Sequence, residues 1–559
     1  MPGNIEDAQF ELIKKFKKEY DVAHIQKESF NHFIHFGLQK IVDNEPPIEI
    51  LVEKKGNSKK IYKVHFKKIF VSPPAIVEHN RKYKPVYPAE CRLRNLTYCG
   101  NVNVNIYTKL YTENITTGVQ TVLQQKTHRN FTIAKLPIMV QSVTCNLHNL
   151  NSIEKLNKGE CKYDVGGYFI LKGGEKVIVS QIRRAYNNLT ISQLKNNKRE
   201  WVGEYRSMST ITAHSALSKI KMLPCGNRVV FSLPYISTDI PVGIVFKAFG
   251  YMNAKDILNI IGCESERSYS ILKNIIKESY FISTKEEALD YIGKFSLNPI
   301  QDCKHKEYAT QILHNEIFPH FNQPTPLKSA LLLGTFVKKL ILTVIEERIE
   351  DNKDLFQYKR VENVGILFQD LFRALYKRVL KGLQPTLTKY ADIVSALSRC
   401  STITNSFRTC IQTSNWCLPG TKFSRTGVSQ VLSRISLLSY YSHLNRVNQS
   451  ISRESRNLDV RQINSSSIMF LDPADTPEGQ PTGLVLNMAM GTFISKGTSS
   501  YVLFNILKSI DFCDSISYQN DWSSIFKIYI NQELYGFTKN YKKVLDLFYK
   551  LRESSILPL

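Results

Sequence analysis

A run of 559 residues without an internal repeat, a low-complexity tract or a long Pro/Gly/Ser linker cannot close around one hydrophobic core, because single cores stop growing at about 250–300 residues. At roughly 100–200 residues per domain, about three or four domains are expected, packed directly on one another. The apolar pattern says what kind they are. From about residue 10 to 42, Leu12, Ile13, Phe16, Tyr20, Phe30, Phe33, Ile34, Leu38 and Ile41 recur at spacings of three and four, which predicts amphipathic helices. Beyond them Ile61-Tyr62-Lys63-Val64-His65-Phe66 and Val102-Asn103-Val104-Asn105-Ile106-Tyr107 alternate, as half-buried strands do. Tyr168-Phe169-Ile170-Leu171 and Val177-Ile178-Val179 flank Lys172-Gly173-Gly174-Glu175, a hairpin whose glycines supply the positive φ of a tight turn. Paired glycines also suit a phosphate nest, but no G-x-G-x-x-G or Walker pattern accompanies them.

Between about 189 and 359 strands such as Arg228–Leu233 mix with helices, the best candidates being Ala254–Ile261, Tyr308–Ile317 and the stretch from Leu327. A short polar segment from Asn352 to Arg360 then precedes a helix with Val364, Leu367, Phe368, Leu371, Phe372, Leu375 and Val379 along one stripe, which places a boundary near 359. The fold class is α+β, multidomain.

Charge narrows the function. Lys and Arg outnumber Asp and Glu by 74 to 49, a net +25 that fits a partner rich in negative charge, nucleic acid first, although a lysine-rich solvated surface would give the same sum. Eleven cysteines form no C-x-x-C pair and are odd in number, which argues against a zinc site and for reduced thiols in an intracellular compartment. The first twenty residues show no secretory signal, and the most apolar stretch, Ser329 to Ile345, is interrupted by Lys338-Lys339, so no membrane span is expected.

The chemistry concentrates between Trp416 and Gly483. From Trp416 to Ser465 the basic residues are Lys422, Arg425, Arg434, Arg446, Arg453, Arg456 and Arg461, against only Glu454 and Asp459. Arginines grip phosphate bidentately and neighbours such as Gln430 and Gln462 add neutral donors, so this surface suits a nucleic-acid backbone; a solvated loop with incidental arginines is the plainer alternative. Asp472, Asp475 and Glu478 follow at three-residue spacing, which suggests a Mg²⁺ site, but Pro473 and Pro477 break a helical alignment and favour an ordered turn. No G-x-S-x-G elbow, H-E-x-x-H pair or catalytic-cysteine signature occurs, and the histidines are scattered. No residue of this chain is expected to be catalytic or to hold a metal.

The segment "DPADTPEGQPTGL" (472–484) resembles the P-x-E-T-P-E-G-x-x-x-G-L signature of the second-largest, β-type subunit of multisubunit DNA-directed RNA polymerases. "CRLRNLTY" (91–98), "LPIMVQS" (136–142), "DVGGYFILKGGEKVIVSQ" (164–181), "LPYISTDIPVGIVFKAFGY" (233–251) and "SRTGVSQVLSR" (424–434) are similar to the family's segments in the family's order. The likeness spans about residues 10 to 550 and lies nearest the eukaryotic, archaeal and large-DNA-virus branch. It implies a protrusion made of 1–188 and 360–417, a lobe of 189–359, a fork of 418–495, and the start of an external domain at 496–559.

In that frame Lys422, Arg425, Gln430 and Arg434 resemble the first fork loop, and Arg446, Arg453, Arg456, Arg461 and Gln462 the second fork region, facing DNA strands and the DNA–RNA hybrid. Asp475, Pro477, Glu478 and Gly479 match a turn that the resemblance makes architectural behind the active centre, with Asp475 where the family usually has Glu. The G-Y-N-Q-E-D and G-D-K-x-x-x-R-x-G-x-K-G segments of the family do not occur in these 559 residues. The resemblance therefore implies two partner chains, a separate C-terminal half and the largest subunit, whose aspartates hold the Mg²⁺ of the assembled enzyme. Two other readings are a half-subunit that regulates a polymerase or is its remnant, and a single-strand-binding protein. The second lacks stacking platforms, since only Phe423, Tyr440 and Tyr441 are aromatic between 418 and 465.

Overall fold

The computed structural model describes residues 5–19, 21–55, 57–78, 83–114, 119–194, 200–224, 228–263, 265–297, 304–321, 323–389, 392–417, 424–495, 497, 500–508 and 525–554. Tyr20, Lys422 and Phe423 lie outside them. The chain forms two compact units, one of residues 1–183 and 359–494 and the other of 184–358 and 495–559. Among the described residues no helix is long and apolar enough to cross a membrane.

The first unit opens with the expected helices, Ile5–Glu19, His24–His32 and Leu38–Asn44, the last two joined by a wide turn over Phe33–Gly37. The spacing of Phe30, Phe33, Ile34, Leu38 and Ile41 turns all five into the core. The first helix differs: Phe10, Leu12 and Ile13 stay exposed, and Phe16 makes an edge-to-face contact with Phe493 at 5.8 Å. The long helix Val364–Lys389 lays its apolar stripe against this layer, and Phe368 is the hub, with ring centroids 5.6 Å from Phe30, 5.3 Å from Phe169 and 5.8 Å from Trp416.

Three of the sheets among its described residues position the site. Ile48–Lys55, Ser58–Val71, Cys99–Asn114 and Gln120–Pro137 form an antiparallel sheet in that order, with Val102, Val104 and Ile106 inward. The hairpin Phe169–Leu171/Gly174–Ile178 turns through Lys172 (φ +49°) and Gly173 (φ +76°), both left-handed as a two-residue hairpin turn requires. A Cβ on Gly173 would lie 2.5 Å from Asn95 Oδ1, so the position is closed to a side chain. The third sheet runs Lys359–Glu362, Ser180–Arg184, Arg446–Gln449, Val485–Met488, Leu471–Asp472, and its Ser180–Arg184/Arg446–Gln449 pair is parallel.

The second unit has a five-stranded antiparallel meander, Leu189–Gln193, Trp201–Met208, Ser215–Leu223, Arg228–Ser232 and Ile240–Pro241. Helices cover its inner face. Val242–Ala248 is buried at every position, and Ala254–Ile261 forms where expected, closing on Gly262 in the left-handed conformation. Lys285–Lys294 starts in a capping box: Thr284 Oγ1 accepts from Glu287 N–H (3.2 Å) while Glu287 accepts from Thr284 N–H (3.3 Å). The helix expected over 308–317 forms as the α-helix His305–Gln311, continued without a break by a wider π-type turn over Ile312–Glu316. Pro326–Val344 takes its proline at the first position, where no N–H is needed. The late hairpin Phe526–Ile530/Glu533–Thr538 inserts Leu534 and Phe537 into this same core.

Candidate nucleic-acid interface

The basic segment runs through several sheets of the first unit, Ser424–Arg425 pairing with Trp416–Cys417, Ser429–Val431 with Gly174–Ile178, and Arg446–Gln449 entering the third sheet, and the fold sorts its arginines into those used inside the chain and those left outside. Arg425 lies against Glu362, whose other oxygen takes Arg183, so a carboxylate that is 3% exposed is held by two guanidiniums. Burying a carboxylate carries a desolvation cost that the two guanidiniums offset.

Arg434 closes a larger network. Its Nε donates to Glu175 Oε2 (2.8 Å) and its Nη2 to Asp164 Oδ2 (3.0 Å) and Glu175 Oε1 (3.0 Å), while the guanidinium sits 4.7 Å over the Tyr440 ring. Arg92 reaches the same Glu175 from the other side (2.8 Å) and forks onto Glu160 (3.0 and 3.1 Å). Tyr168 and Tyr440 both donate to Asp164, at 2.8 and 3.0 Å. Burial pushes the Asp164 carboxyl up, but the Gly166 N–H, the Tyr168 hydroxyl and Arg434 outweigh it and hold the group below the usual carboxylate range. Tyr440, one of the two described aromatics between 418 and 465, is thus committed to the interior and is no stacking platform.

Gln430 is fixed rather than presented. His443 Nε2 donates to its Oε1 (3.0 Å) and His443 Nδ1 accepts from Ser433 N–H (3.1 Å), which sets the tautomer. Burial, with the positive charge of Arg446 behind it, pushes the His443 pKa down to about 4. Arg446 starts the strand Arg446–Gln449, and its Nε is enclosed without a hydrogen-bond partner among the described residues.

Arg461 is a clasp. It donates to Gln480 O (2.7 Å), Thr482 O (2.9 Å), Arg453 O (2.8 Å) and Ser455 O (2.9 Å), stitching the 453–455 loop to the 480–482 turn. Gly483 makes this possible: at φ +71° its missing Cβ would stand 2.2 Å from Arg461 O. The loop so tied presents Arg453 and Arg456 outward, both exposed, neither guanidinium bonded among the described residues, with Gln462 exposed beside them. Arg453 Nη2 lies next to Gly427, 4.0 Å from where a Cβ would be.

The acidic segment is a turn held by its own side chains. Asp472 Oδ1 accepts from Ala474 N–H (2.9 Å), Thr476 Oγ1 donates to Val485 O (3.0 Å) and accepts from Gly483 N–H (3.0 Å), and Thr482 Oγ1 donates to Pro477 O (2.9 Å). Asp475 accepts from Ser442 Oγ (3.0 Å); Glu478 and Gly479, the latter at φ +84°, are exposed at the tip. Among the described residues no three His, Cys, Asp or Glu side chains converge where one cation could be held, Asp472, Asp475 and Glu478 included.

Sequence reasoning placed Arg425, Arg434 and Arg461 with Arg453 and Arg456 but did not see their different surroundings, nor Asp164, Glu175, Arg92 and Glu160 as their partners. A signal was available. Asp164 and Glu175 are the acidic residues of a largely apolar, glycine-turned stretch, and acids buried at such sites need a cation.

The sequence that forms these two α+β units, with their arginine-rich loops and Pro-Glu-Gly turn, matches known proteins along most of its length. The family model described as RNA polymerase beta subunit matches residues 21–407, and that described as RNA polymerase Rpb2, domain 3, matches 430–494. The chain belongs to the RNA polymerase beta-subunit family. It is 33% identical over 530 residues to DNA-directed RNA polymerase II subunit 2 of Arabidopsis thaliana, covering 90% of this chain and 44% of that one. A probable DNA-directed RNA polymerase II subunit RPB2 homolog of Invertebrate iridescent virus 3 is 31% identical over 90% of this chain and 47% of its own length. DNA-directed RNA polymerase subunit Rpo2 of Sulfolobus acidocaldarius is 28% identical over 98% of this chain and 48% of its own. The chain thus spans less than half the length of these relatives.

Proposed function

We propose that the chain works as the N-terminal half of the second-largest subunit of a DNA-directed RNA polymerase, transcribing DNA into RNA as part of an assembly. The observation that carries this reading is the family match over 21–407 and 430–494, in chain order. In it residues 1–188 and 360–417 serve as the protrusion, 189–359 as the lobe, 418–495 as the fork and 496–559 as the start of the external domain. The partners are template and non-template strands, the DNA–RNA hybrid, the largest subunit, and the C-terminal half of this subunit. Mg²⁺ held by the largest subunit supplies charge stabilisation for nucleotidyl transfer.

This chain's residues position. Arg453 and Arg456 are the guanidiniums free to meet backbone phosphate, with Lys422, Arg446 and Gln462 nearby in sequence, and such contacts carry no base information. Arg425, Gln430, Arg434 and Arg461 act one step back, by holding the loops that present them. Asp475, Pro477, Glu478 and Gly479 form a fixed turn at the base of that loop.

The test is to tag the chain in its native cell, purify what accompanies it, and assay template-dependent RNA synthesis with Mg²⁺ and nucleoside triphosphates. Recovery of the largest subunit with activity is expected, and mass spectrometry reports whether the C-terminal half arrives as a chain of its own. A chain recovered alone and inactive would overturn the reading in favour of a regulator or remnant.

A further inference from the structure

We propose that the outer edge of the strand Gln120–Pro137, over Gln120–Thr127, is a docking site for an extended acidic peptide, which adds to the sheet as a fifth strand. The two halves of this strand are treated differently by the fold. In the inner half Ile133, Ala134 and Leu136 are buried, and the Lys135 N–H is taken by Thr404 Oγ1 at 2.9 Å, from the helix Thr402–Thr413. Asn130, at φ +54° with its N–H on Asn105 Oδ1 (2.9 Å), kinks the strand between the halves.

In the outer half every side chain from Gln120 to Thr127 is exposed, and the hydrogen bonds seen there among the described residues run to the neighbouring strand Cys99–Asn114. Among the described residues no strand pairs with the far side of this backbone, which leaves a row of outward N–H and C=O groups. Proteins blunt such edges with charge, proline or a cover. Val119-Gln120-Thr121-Val122-Leu123-Gln124-Gln125 has no charge and no proline, and Val119, Val122 and Leu123 are 60%, 52% and 55% exposed.

An edge that alternates donors with acceptors is satisfied along its length only by another strand, since a phosphate backbone offers acceptors to the N–H groups and nothing to the carbonyls. Charge selects the partner. The four strands of the sheet carry eleven Lys and Arg against three Glu, with Lys126 and Arg129 on the edge strand itself. A second copy of this chain, itself at +25, is repelled, whereas acidic residues flanking apolar ones are drawn in. The inference stands on the sheet edge and does not depend on the polymerase reading.

The experiment uses the full chain and a fluorescein-labelled decapeptide of alternating Val and Glu. Anisotropy should show saturable binding, and about half of the amides in 120–127, those pointing outward, should exchange more slowly with peptide present. N-methylating alternate residues of the peptide should weaken binding by roughly tenfold or more, because it removes strand-to-strand hydrogen bonds and leaves charge untouched. Val122→Glu with Leu123→Glu, surface changes, should also abolish binding. Three results would each overturn the proposal: no change in exchange at 120–127, slowing that rises with chain concentration without peptide, or slowing by a ten-residue oligothymidylate but not by the peptide.

Discussion

In the unit of residues 1–183 and 359–494, Arg92, Arg434, Glu160, Asp164 and Glu175 share one hydrogen-bonded knot with two tyrosines, and Glu362 takes two further arginines. In the unit of 184–358 and 495–559 the core cluster is aliphatic and aromatic, and buried Lys247 and His320 are met by neutral groups: Lys247 donates to Ser279 O and Ile282 O (both 2.6 Å), and His320 Nδ1 accepts from the Ser207 hydroxyl (2.7 Å). Both units exclude water; the first gathers several arginines into one network, whereas in the second Arg348 meets the buried Asp351 as a single ion pair (2.6 Å). Paired charges fix one arrangement of loops, whereas apolar contacts tolerate several, so the unit that displays Arg453 and Arg456 is the one where geometry is pinned.

The largest expected effect breaks the knot. Arg92→Ala leaves Glu160, 4% exposed, without its fork, and should cost about 3–5 kcal/mol in denaturant unfolding, read at the amides of Phe169–Leu171 and Gly174–Ile178. Adding Glu160→Gln should return much of that loss. Phe246→Ala in the second unit should cost a similar amount, about 3–5 kcal/mol, with no single partner change restoring it. Restoration in both units, or in neither, would erase the distinction.

Acid titrates the units alike and so sharpens the contrast. Burial holds the pKa of His320 down to about 4, against the pull of Gln532 O, and that of His443 to about 4 as well. Above the ordinary value near 6.5 both are neutral folded or unfolded. As pH falls from about 6.5 towards 4 the unfolded chain takes up protons that the folded one refuses, so each removes up to about 3 kcal/mol of stability across that window. His443→Gln should flatten the acid sensitivity of amides in the first unit only, and His320→Gln in the second only.

Smaller is Gly483→Ala, expected to cost about 1–3 kcal/mol by strain at positive φ and by displacing Arg461. The smallest stability effect belongs to Arg453→Ala with Arg456→Ala, within about 0.5 kcal/mol. In the purified assembly that pair should lower the salt dependence of template binding by nearly two phosphates' worth, equally on all templates, whereas a sequence-selective loss would contradict a backbone role.

What was legible in the sequence follows from range. The strand at Val102–Tyr107, the hairpin at Lys172-Gly173 and the stripe from Val364 each rest on neighbours a few residues apart, and all three form. The two units each combine an antiparallel sheet with helices, as the α+β pattern predicts. The surroundings of the arginines were not legible, because Arg434 meets Glu175 and Asp164 across 259 and 270 positions, and local charge counting treats it like Arg456. The exposure of Phe10, Leu12 and Ile13 escaped for the opposite reason: periodicity reports a sided helix but not what covers it.

Residues 184–358 depart from and return to the first unit through Ser180–Arg184 and Lys359–Glu362, neighbouring strands of one sheet, with Ala185 N–H on Tyr358 O at 2.7 Å where the two ends meet. Ends that touch let a lineage lengthen, trim or exchange everything between them without disturbing the host sheet's register. In evolutionary terms the segment is an insertion whose length and content can change while the register of the host strands is kept.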